Sequence, residues 1–387
     1  SQMPEWCLRF GIVPLARNPT LPEGFIDTYT ADVLKVGRSG GLDQVGVAPA
    51  DIFLQARSAL IERKSRGLHD TMEFTYRNPE RSTDPRMALP DAKAVIVGAY
   101  SYSQPLVQAP STPSSRIARY AQRDYYAELE LGLNAMRDKL RDEGWKAVVF
   151  ADDNSLVDRG AAHLAGLGWF GKNANLLLKG HGSFFVLGSV VTNAPLRAST
   201  TQVDDGCGAC KRCVDACPTG AIVENGVVDA AKCLAWLIQK PGVFDRQYRV
   251  ALADRIYGCD DCQEVCPPTQ RLSITKKQNA EVRQWVPILQ LLNMDDAALL
   301  SNFKHWYITD RDPTWVRRNA LINLGNIADG SDLDVQNVLV RYLNHPQPVL
   351  RAHAVWSAAR LNLRHLINFA DDDPLVANEL RSLPDPR

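Results

Sequence analysis

CGACKRCVDACP (Cys207–Pro218) and GCDDCQEVCP (Gly258–Pro267) together hold seven of the nine cysteines in the chain, and Cys233 between them makes eight. The first stretch is the C-x2-C-x2-C-x3-C-P run of two-cluster ferredoxins. Three closely spaced thiolates wrap one [4Fe–4S] cubane, and the fourth cysteine, turned away by the following proline, ligates the other cluster. One cluster is therefore expected on Cys207, Cys210, Cys213 and Cys266, and the second on Cys217, Cys259, Cys262 and Cys233. The second motif supplies one ligand fewer than a full run, and Cys233 makes up the count. Zinc is the alternative, since paired C-x2-C elements bind it too, but zinc sites rarely use four cysteines in so tight a run followed by proline. The ninth cysteine, Cys7, reads as an isolated thiol.

Outward from this segment the chain divides into regions of different pattern. Its 387 residues exceed one ordinary core, so two or three domains are expected. With 44 basic and 44 acidic residues the net charge is zero, and bulk electrostatics favours neither nucleic acid nor membrane. No apolar run reaches membrane-spanning length and the N-terminal residues do not form an export signal, so the expectation is a cytoplasmic protein without membrane contact. Residues 1–40, rich in Pro and Gly, read as an extension outside the main fold. Strands and helices alternate over residues 41–200, which indicates an α/β domain. The strands are expected around Leu42–Ala50, Ala92–Tyr102, Trp145–Asp153 and Gly182–Asn193. Helices are expected after Asp51 as N-cap, over Tyr125–Gly144, and in LVDRGAAHLAGLG. A polar linker at 196–206 leads into the cluster segment, 201–275. A stretch containing Lys276, Lys277 and Arg283 then leads into an all-helical region, 285–387. There DPTWVRRNALINLG (Asp312–Gly325) parallels PVLRAHAVWSAAR (Pro348–Arg360), with Arg317 and Arg351, and Ala320 and Ala354, both 34 residues apart. That is the signature of stacked helical repeats.

Several other features carry chemistry. GLGWFG (Gly166–Gly171) matches G-x-G-x-x-G, but a helix precedes it where a dinucleotide site needs a strand; its glycines are expected to shape a loop against a ligand. Asp152 and Asp153 close a buried strand, where ligands of α/β domains sit, with a turn or helix cap as the alternative role. His163 and His181 stand alone, and single histidines are usually neither ligands nor bases. Arg317, Arg318 and Arg351 recur at equivalent repeat positions and could line a phosphate-binding face, the rival being a solvated charged surface.

These pieces together resemble the epoxyqueuosine reductases, cobalamin-dependent iron–sulfur enzymes that finish queuosine synthesis on tRNA. The resemblance runs from about Leu42 to Leu366. It is carried by RNPERSTDPRMALPDAKAV (Arg77–Val95), LVDRGAAHLAGLGWFGKN (Leu156–Asn173), GSFFVLGSVVTN (Gly182–Asn193), the two cysteine motifs and RNALINLGN (Arg318–Asn326). It implies a multidomain α/β plus α fold: a nitroreductase-like α/β domain for cobalamin, a ferredoxin-like domain with two [4Fe–4S] clusters, and a HEAT-like helical domain for tRNA. It implies that Asp152, before the L-V-D-R element, is the catalytic acid, with Asp153 its neighbour. It places cobalamin contacts at Ala118, Asn175, Leu176, Ser183, Leu187, Cys259 and Asp260, and at Arg81, where the family's basic pair reads Arg81-Ser82. The sequence departs from the family at Asp124-Tyr125-Tyr126 (for D-Y-H, with one residue missing before it), at Ala235, and at HWYITDRDPTW (His305–Trp315), which replaces a small basic segment.

The expected reaction is reduction of epoxyqueuosine to queuosine at the wobble position of GUN anticodons. Turning the epoxide into an alkene takes two electrons and removes the oxygen as water, which one-electron clusters cannot do alone. The bound cob(II)alamin, reduced to cob(I)alamin, would serve as two-electron partner. Clusters near about −400 mV would feed it from an external low-potential donor. The chain lacks a D-x-H-x-x-G element, so no histidine ligand to cobalt is expected, and a monomer is. A reductive dehalogenase would share the α/β-plus-ferredoxin order but has no use for helical repeats. A plain electron-transfer protein has no use for the α/β domain. A repeat module with structural clusters would not bind cobalamin, and a visible spectrum of the protein incubated with cobalamin separates these.

Overall fold

In a computed structural model the described residues are 20–201, 203–271 and 282–387; Cys7, Lys276 and Lys277 lie outside them. The first unit is a four-stranded sheet of β1 (Gln44–Pro49), β2 (Ala94–Ser101), β4 (Ala147–Ala151) and β7 (Phe185–Thr192), in the order β1-β2-β7-β4 with every pairing antiparallel. Both faces are covered, which is why its central strands read as unbroken apolar runs. Along β2, Ala94 and Ile96 join one core with helices α1 (Ile26–Ser39) and α3 (Tyr126–Asp142). Val95, Val97 and Ala99 join the other, on the side of α2 (Leu54–Ser65) and α4 (Asp158–Leu164).

Two expectations need correcting here. Residues 26–39 belong to the fold. Tyr29, Val33 and Gly37 recur every four positions and are buried against the sheet and α3, and the buried Tyr29 hydroxyl donates to Glu143 at the end of α3. Asp51 is not an N-cap. Helix α2 begins three residues later because Phe53 is buried and its N–H is held by the Thr83 carbonyl, and Asp51 pairs with Arg86 on the surface.

A second sheet joins regions far apart in sequence. Strand β3 (Ser114–Ile117) lies between β10 (Arg255–Tyr257), parallel to it, and β11 (Trp285–Pro287), antiparallel. The intervening strands form two hairpins, β5 (Gly168–Phe170) with β6 (Leu176–Leu178) and β8 (Ile222–Glu224) with β9 (Val227–Val228). The three regions thus share one core. Leu234, Leu237, Ile238, Phe244 and Ile256 from the cluster segment pack in the same cluster as Ile117 and as Leu321 and Trp356 of the C-terminal helices. The two helices whose sequences repeat, Thr314–Ile327 and Pro348–Arg360, lie against each other, and the Ser357 hydroxyl donates to the Leu321 carbonyl across the contact (2.6 Å). Among the described residues no helix is long and apolar enough to cross a membrane.

Candidate functional site

Among the described cysteines the thiols gather around two positions, Cys266 and Cys262. Burial raises the Cys266 thiol, and Cys207 and Cys210 raise it further; Cys213 has Cys266 and Cys207 as its thiol neighbours. In the other group burial again dominates, and Cys262 faces Cys259, Cys233 and Cys217. The crossing ligands, Cys217 in the first motif and Cys266 in the second, have changed partners as the two-cluster spacing requires. Among the described residues no three metal-binding side chains converge to hold a single ion.

The GLGWFG stretch sits on this segment. It forms the β5–β6 hairpin, and its side chains reach both motifs. Lys172 Nζ donates to the carbonyls of Gly208 (2.6 Å) and Cys210 (3.0 Å). The Asn173 amide donates to the Cys262 carbonyl (3.2 Å). Trp169 packs against Cys266 and Cys207, and Gly206 lies flat on its ring. The glycines expected to shape a loop belong to a β-hairpin, one side of which lies on the cluster segment.

Between the α/β unit and the cluster segment runs a cleft lined by Ala118, Arg119, Gly258, Cys259 and Asp260. Gly258 has φ +74°, and a Cβ there would stand 2.5 Å from Ala118 Cβ and 2.7 Å from the Tyr120 ring. The next residues, Cys259 and Asp260, can approach the β3 end only because position 258 carries no side chain. Asp260 is buried and accepts the Arg119 backbone N–H (2.7 Å) and the Gln263 amide (3.1 Å); burial pushes its carboxyl up to about 6. Gly258→Ala is expected to displace Cys259, dropping the iron content of reconstituted protein from about eight toward about four per chain, as read by iron and sulfide analysis.

Of the other residues matched to cofactor contacts, Ser183 bonds Thr269 just beyond Cys266 (3.3 Å), and Asn175 lies in the hairpin with its carbonyl accepting the Gly171 N–H. Leu176 and Leu187 are core residues of the α/β unit, so only their main chain is available to a ligand. Arg81 stands apart from the cleft, on the Asp152 loop, where it reaches the Ser155 hydroxyl (3.4 Å).

Asp152 follows the last residue of β4 in a left-handed conformation, φ +51°. Its carboxyl is raised by burial first, then by Asp124 and Asp153. It is a negative neighbour of Tyr126, at the start of α3, and of Tyr257, two residues before Cys259, and burial is the main reason both phenols are raised. Asp152 is thus exposed at the sheet edge, on the side of Tyr126 and Tyr257. Asp153 acts locally, its Oδ1 accepting the Ser155 N–H (2.6 Å). Neither aspartate caps α4, whose N-cap is Val157. His163 holds the Gly168 carbonyl (3.0 Å) and His181 meets Gln44 (2.9 Å), both local structural roles.

The three repeat arginines do not form a phosphate-binding face. Arg318 is 1% exposed, and its guanidinium donates to the carbonyls of Leu237, Ile238, Lys240 and Gly242. Arg317 is buried and pairs with Asp296. Arg351 is held by both oxygens of Asp371 (2.7 and 3.1 Å). An arginine pointing into a helical stack finds the unpaired carbonyls at the end of the neighbouring helix and caps them. Two groups that sequence reasoning passes over belong to the site region: Lys172, whose only signal is its place after a glycine-rich turn, and Asp158, whose place in the first turn of a helix reads as an ordinary favourable charge.

The chain matches two family models, "4Fe-4S double cluster binding domain" over residues 206–269 and "Epoxyqueuosine reductase QueG, DUF1730" over residues 82–153. The epoxyqueuosine reductase of Bacillus cereus is 31% identical over 351 residues, covering 85% of this chain and 88% of the relative. That of Vibrio cholerae is 34% identical over 297 residues, covering 74% and 80%. Among solved structures, an epoxyqueuosine reductase crystallised with an epoxyqueuosine-modified tRNA-Tyr stem loop superposes with TM-score 0.81 at 26% identity, covering 92% of this chain and 99% of that one. The Bacillus subtilis enzyme, solved with its catalytic aspartate loop swung out of the active site, gives TM-score 0.81 at 27% identity, covering 92% and 97%. On this likeness along most of its length, the chain belongs to the epoxyqueuosine reductase family.

Proposed function

We propose that this chain reduces epoxyqueuosine to queuosine in the anticodon loop of tRNA, with Asp152 as proton donor. The observation that carries the reading is the position of Asp152: a raised carboxyl at a strand end, on the side of Tyr257, which belongs to the segment whose cysteines are spaced as two ferredoxin-type quartets. The quartets fit two [4Fe–4S] clusters, with Cys207, Cys210, Cys213 and Cys266 holding one and Cys217, Cys233, Cys259 and Cys262 the other. Ala118, Cys259 and Asp260, which the family resemblance matches to cobalamin contacts, line one cleft, brought together because Gly258 carries no side chain, and these residues would hold an edge of the cofactor. When bound, cobalamin supplies the two-electron reduction that one-electron clusters do not.

In this reading the chain's own residues do the rest. Asp260 ties the Arg119 backbone to the motif that carries Cys259, so the cleft wall and the second cluster move as one body. The β5–β6 hairpin keeps the two cysteine motifs in register. Asp152, raised by burial and by its acidic neighbours, keeps its proton to higher pH than a free aspartate and gives it to the departing oxygen. Residues 20–200 form a nitroreductase-like unit, 203–271 a ferredoxin-like one and 285–387 a HEAT-like array, and the tRNA stem loop in the related structure supports a tRNA partner. Anaerobic reconstitution followed by iron and sulfide analysis is expected to give about eight of each per chain. The reconstituted protein with cobalamin and a low-potential reductant is expected to remove one oxygen from an epoxyqueuosine-modified stem loop, read by mass spectrometry. Stoichiometric zinc without broad visible absorption, or no mass change, overturns the reading.

A further inference from the structure

Tyr307 is an exposed aromatic ring on a fixed support. It lies in His305–Trp315, where the chain departs from its family, and 51% of its surface is open to water. Trp306 and Ile308 on either side of it are buried, and its carbonyl accepts the Tyr257 hydroxyl (3.0 Å). The turn that follows is fixed as well. The Thr309 hydroxyl donates to the Gln239 carbonyl (3.1 Å), and Asp310 and Arg311 take left-handed conformations, φ +55° and +52°. Two successive non-glycine residues in that region are costly. Arg311 holds them in place: its N–H donates to the Ile308 carbonyl (2.9 Å) and its guanidinium to the Leu300 carbonyl (3.0 Å). The Tyr307 ring meets Phe74 edge to face (5.3 Å), and Phe74 meets Trp236 in the same way (6.2 Å). Phe74 comes from the α/β unit, Trp236 from the cluster segment and Tyr307 from the C-terminal region, so all three regions meet at this ring.

Beside the ring is a small pocket lined by Gln239, Tyr257, Tyr307, Thr309 and Trp315. Trp315 has a buried indole N–H without an acceptor among the described residues, and the Arg318 guanidinium lies over its ring (5.8 Å). A buried donor left unpaired is costly, and a ligand acceptor would relieve it. The pocket adjoins the cofactor cleft. Tyr257 lines the one, and Gly258, the next residue, lines the other. The Gln239 amide also donates to the hydroxyl of Tyr120 (3.4 Å), whose ring stands where a Gly258 side chain would be.

We propose that this pocket takes one unpaired base of the substrate's anticodon loop, a neighbour of the modified base, with the Tyr307 ring as its stacking platform and the Trp315 N–H donating to an acceptor on its edge. The inference rests on the reductase reading, which brings a single-stranded RNA loop to the adjoining cleft. A base drawn out of the loop to react leaves its neighbour unstacked, and aromatic side chains take up such bases. The lining points to a base and not to a phosphate. None of the five residues is cationic, whereas an aromatic face with one donor suits a flat ring that carries acceptors.

The test uses protein reconstituted with clusters and cobalamin, and measures its equilibrium binding of epoxyqueuosine-modified stem loops. One stem loop is intact, and two others lack the base on one or the other side of the modified position. Tyr307→Ala keeps the carbonyl that Tyr257 holds, and is expected to weaken binding of the intact loop about fivefold to a hundredfold. Tyr307→Phe is expected to bind as the wild type does. The salt dependence should stay the same in both, since no phosphate contact is lost. Trp315→Phe keeps a ring and removes the donor, and a loss of about two- to tenfold is expected. One of the two abasic loops is expected to bind the wild type as weakly as the intact loop binds Tyr307→Ala, and Tyr307→Ala should then add little to that loss. Wild-type affinity in Tyr307→Ala, or a full further loss by that variant on both abasic loops, overturns the stacking site while wild-type turnover leaves the reductase reading standing. A wild type that neither binds nor reduces the intact loop overturns both.

Discussion

Asp152→Asn is expected to lower turnover of an epoxyqueuosine-modified stem loop by about 10²–10⁴-fold while iron, sulfide and cobalamin content stay at wild-type values. Asparagine keeps the size and the left-handed backbone that position 152 adopts, since Asn tolerates that region well; it removes only the proton. The cofactors should be indifferent, because no cysteine or cleft-lining residue depends on the Asp152 side chain. Asp153→Asn is the matched control. Its side-chain oxygen serves the Ser155 N–H, and an amide oxygen accepts that bond equally, so its rate should stay close to wild type. A dead Asp153→Asn beside an active Asp152→Asn would move the acid by one residue.

Arg318→Ala is expected to cost about 3 kcal/mol or more of stability, from several buried carbonyls left without donors, measured as a drop in the urea midpoint. The guanidinium caps the end of the short helix Leu234–Leu237 and the turn beyond it through four carbonyls, at 2.6 to 3.1 Å, with Asn319 closing the remaining donors. It also lies over the rings of Phe244 and Trp315. Burial, aided by Arg249, pulls its pKa down to about 9, which leaves it charged at neutral pH. The truncated protein keeps those carbonyls buried without donors, and each costs on the order of 1–3 kcal/mol. Arg351→Ala is the comparison. Its pair with Asp371 is half-buried and bidentate, but its charge keeps partial access to water, and a loss of about 1–2 kcal/mol, smaller than for Arg318, is expected. Equal, small losses in both variants would refute the capping role. The capped helix begins directly after Cys233, so the Arg318 variant should also lose iron from the second quartet.

Much of this molecule is legible in the chain as written. The cysteine spacing alone divides eight thiols into the two groups that the fold brings together, because a cubane's size limits which of them can share it. The strands of the α/β unit are legible because a strand covered on both faces has no polar positions. What the chain hides has physical causes as well. Strands β3, β10 and β11 are three or four residues long, too short to show a period, so three regions look like separable domains although each sends a strand into one small sheet and side chains into one common core. Helix α1 has a buried stripe, but it follows a Pro- and Gly-rich stretch and reads with it as an extension. Arg318 looks like a surface cation because buried arginines are rare; the carbonyls that hold it belong to the cluster segment, and no local pattern reports them. Family likeness alone favours Asp152 over Asp153, and no sequence pattern reports the turn that Asp153 holds through the Ser155 N–H.

The β5–β6 hairpin has a consequence for how this protein responds to its supply of metal. Lys172 and Asn173 bond carbonyls of Gly208, Cys210 and Cys262, within the two motifs that the clusters would brace. The same hairpin follows α4 after a short turn. Ligands that bind only the folded form raise its stability by mass action, and metal-binding free energy is then folding free energy. Iron and sulfide therefore act as stabilising ligands for the α/β unit as well as for the segment that holds them. Under iron limitation or oxidative loss of a cluster, the loosened contacts pass through the hairpin to α4 and its aspartate. A chain without its clusters is then expected to be cut faster by a protease than the reconstituted protein, as limited proteolysis before and after reconstitution would measure.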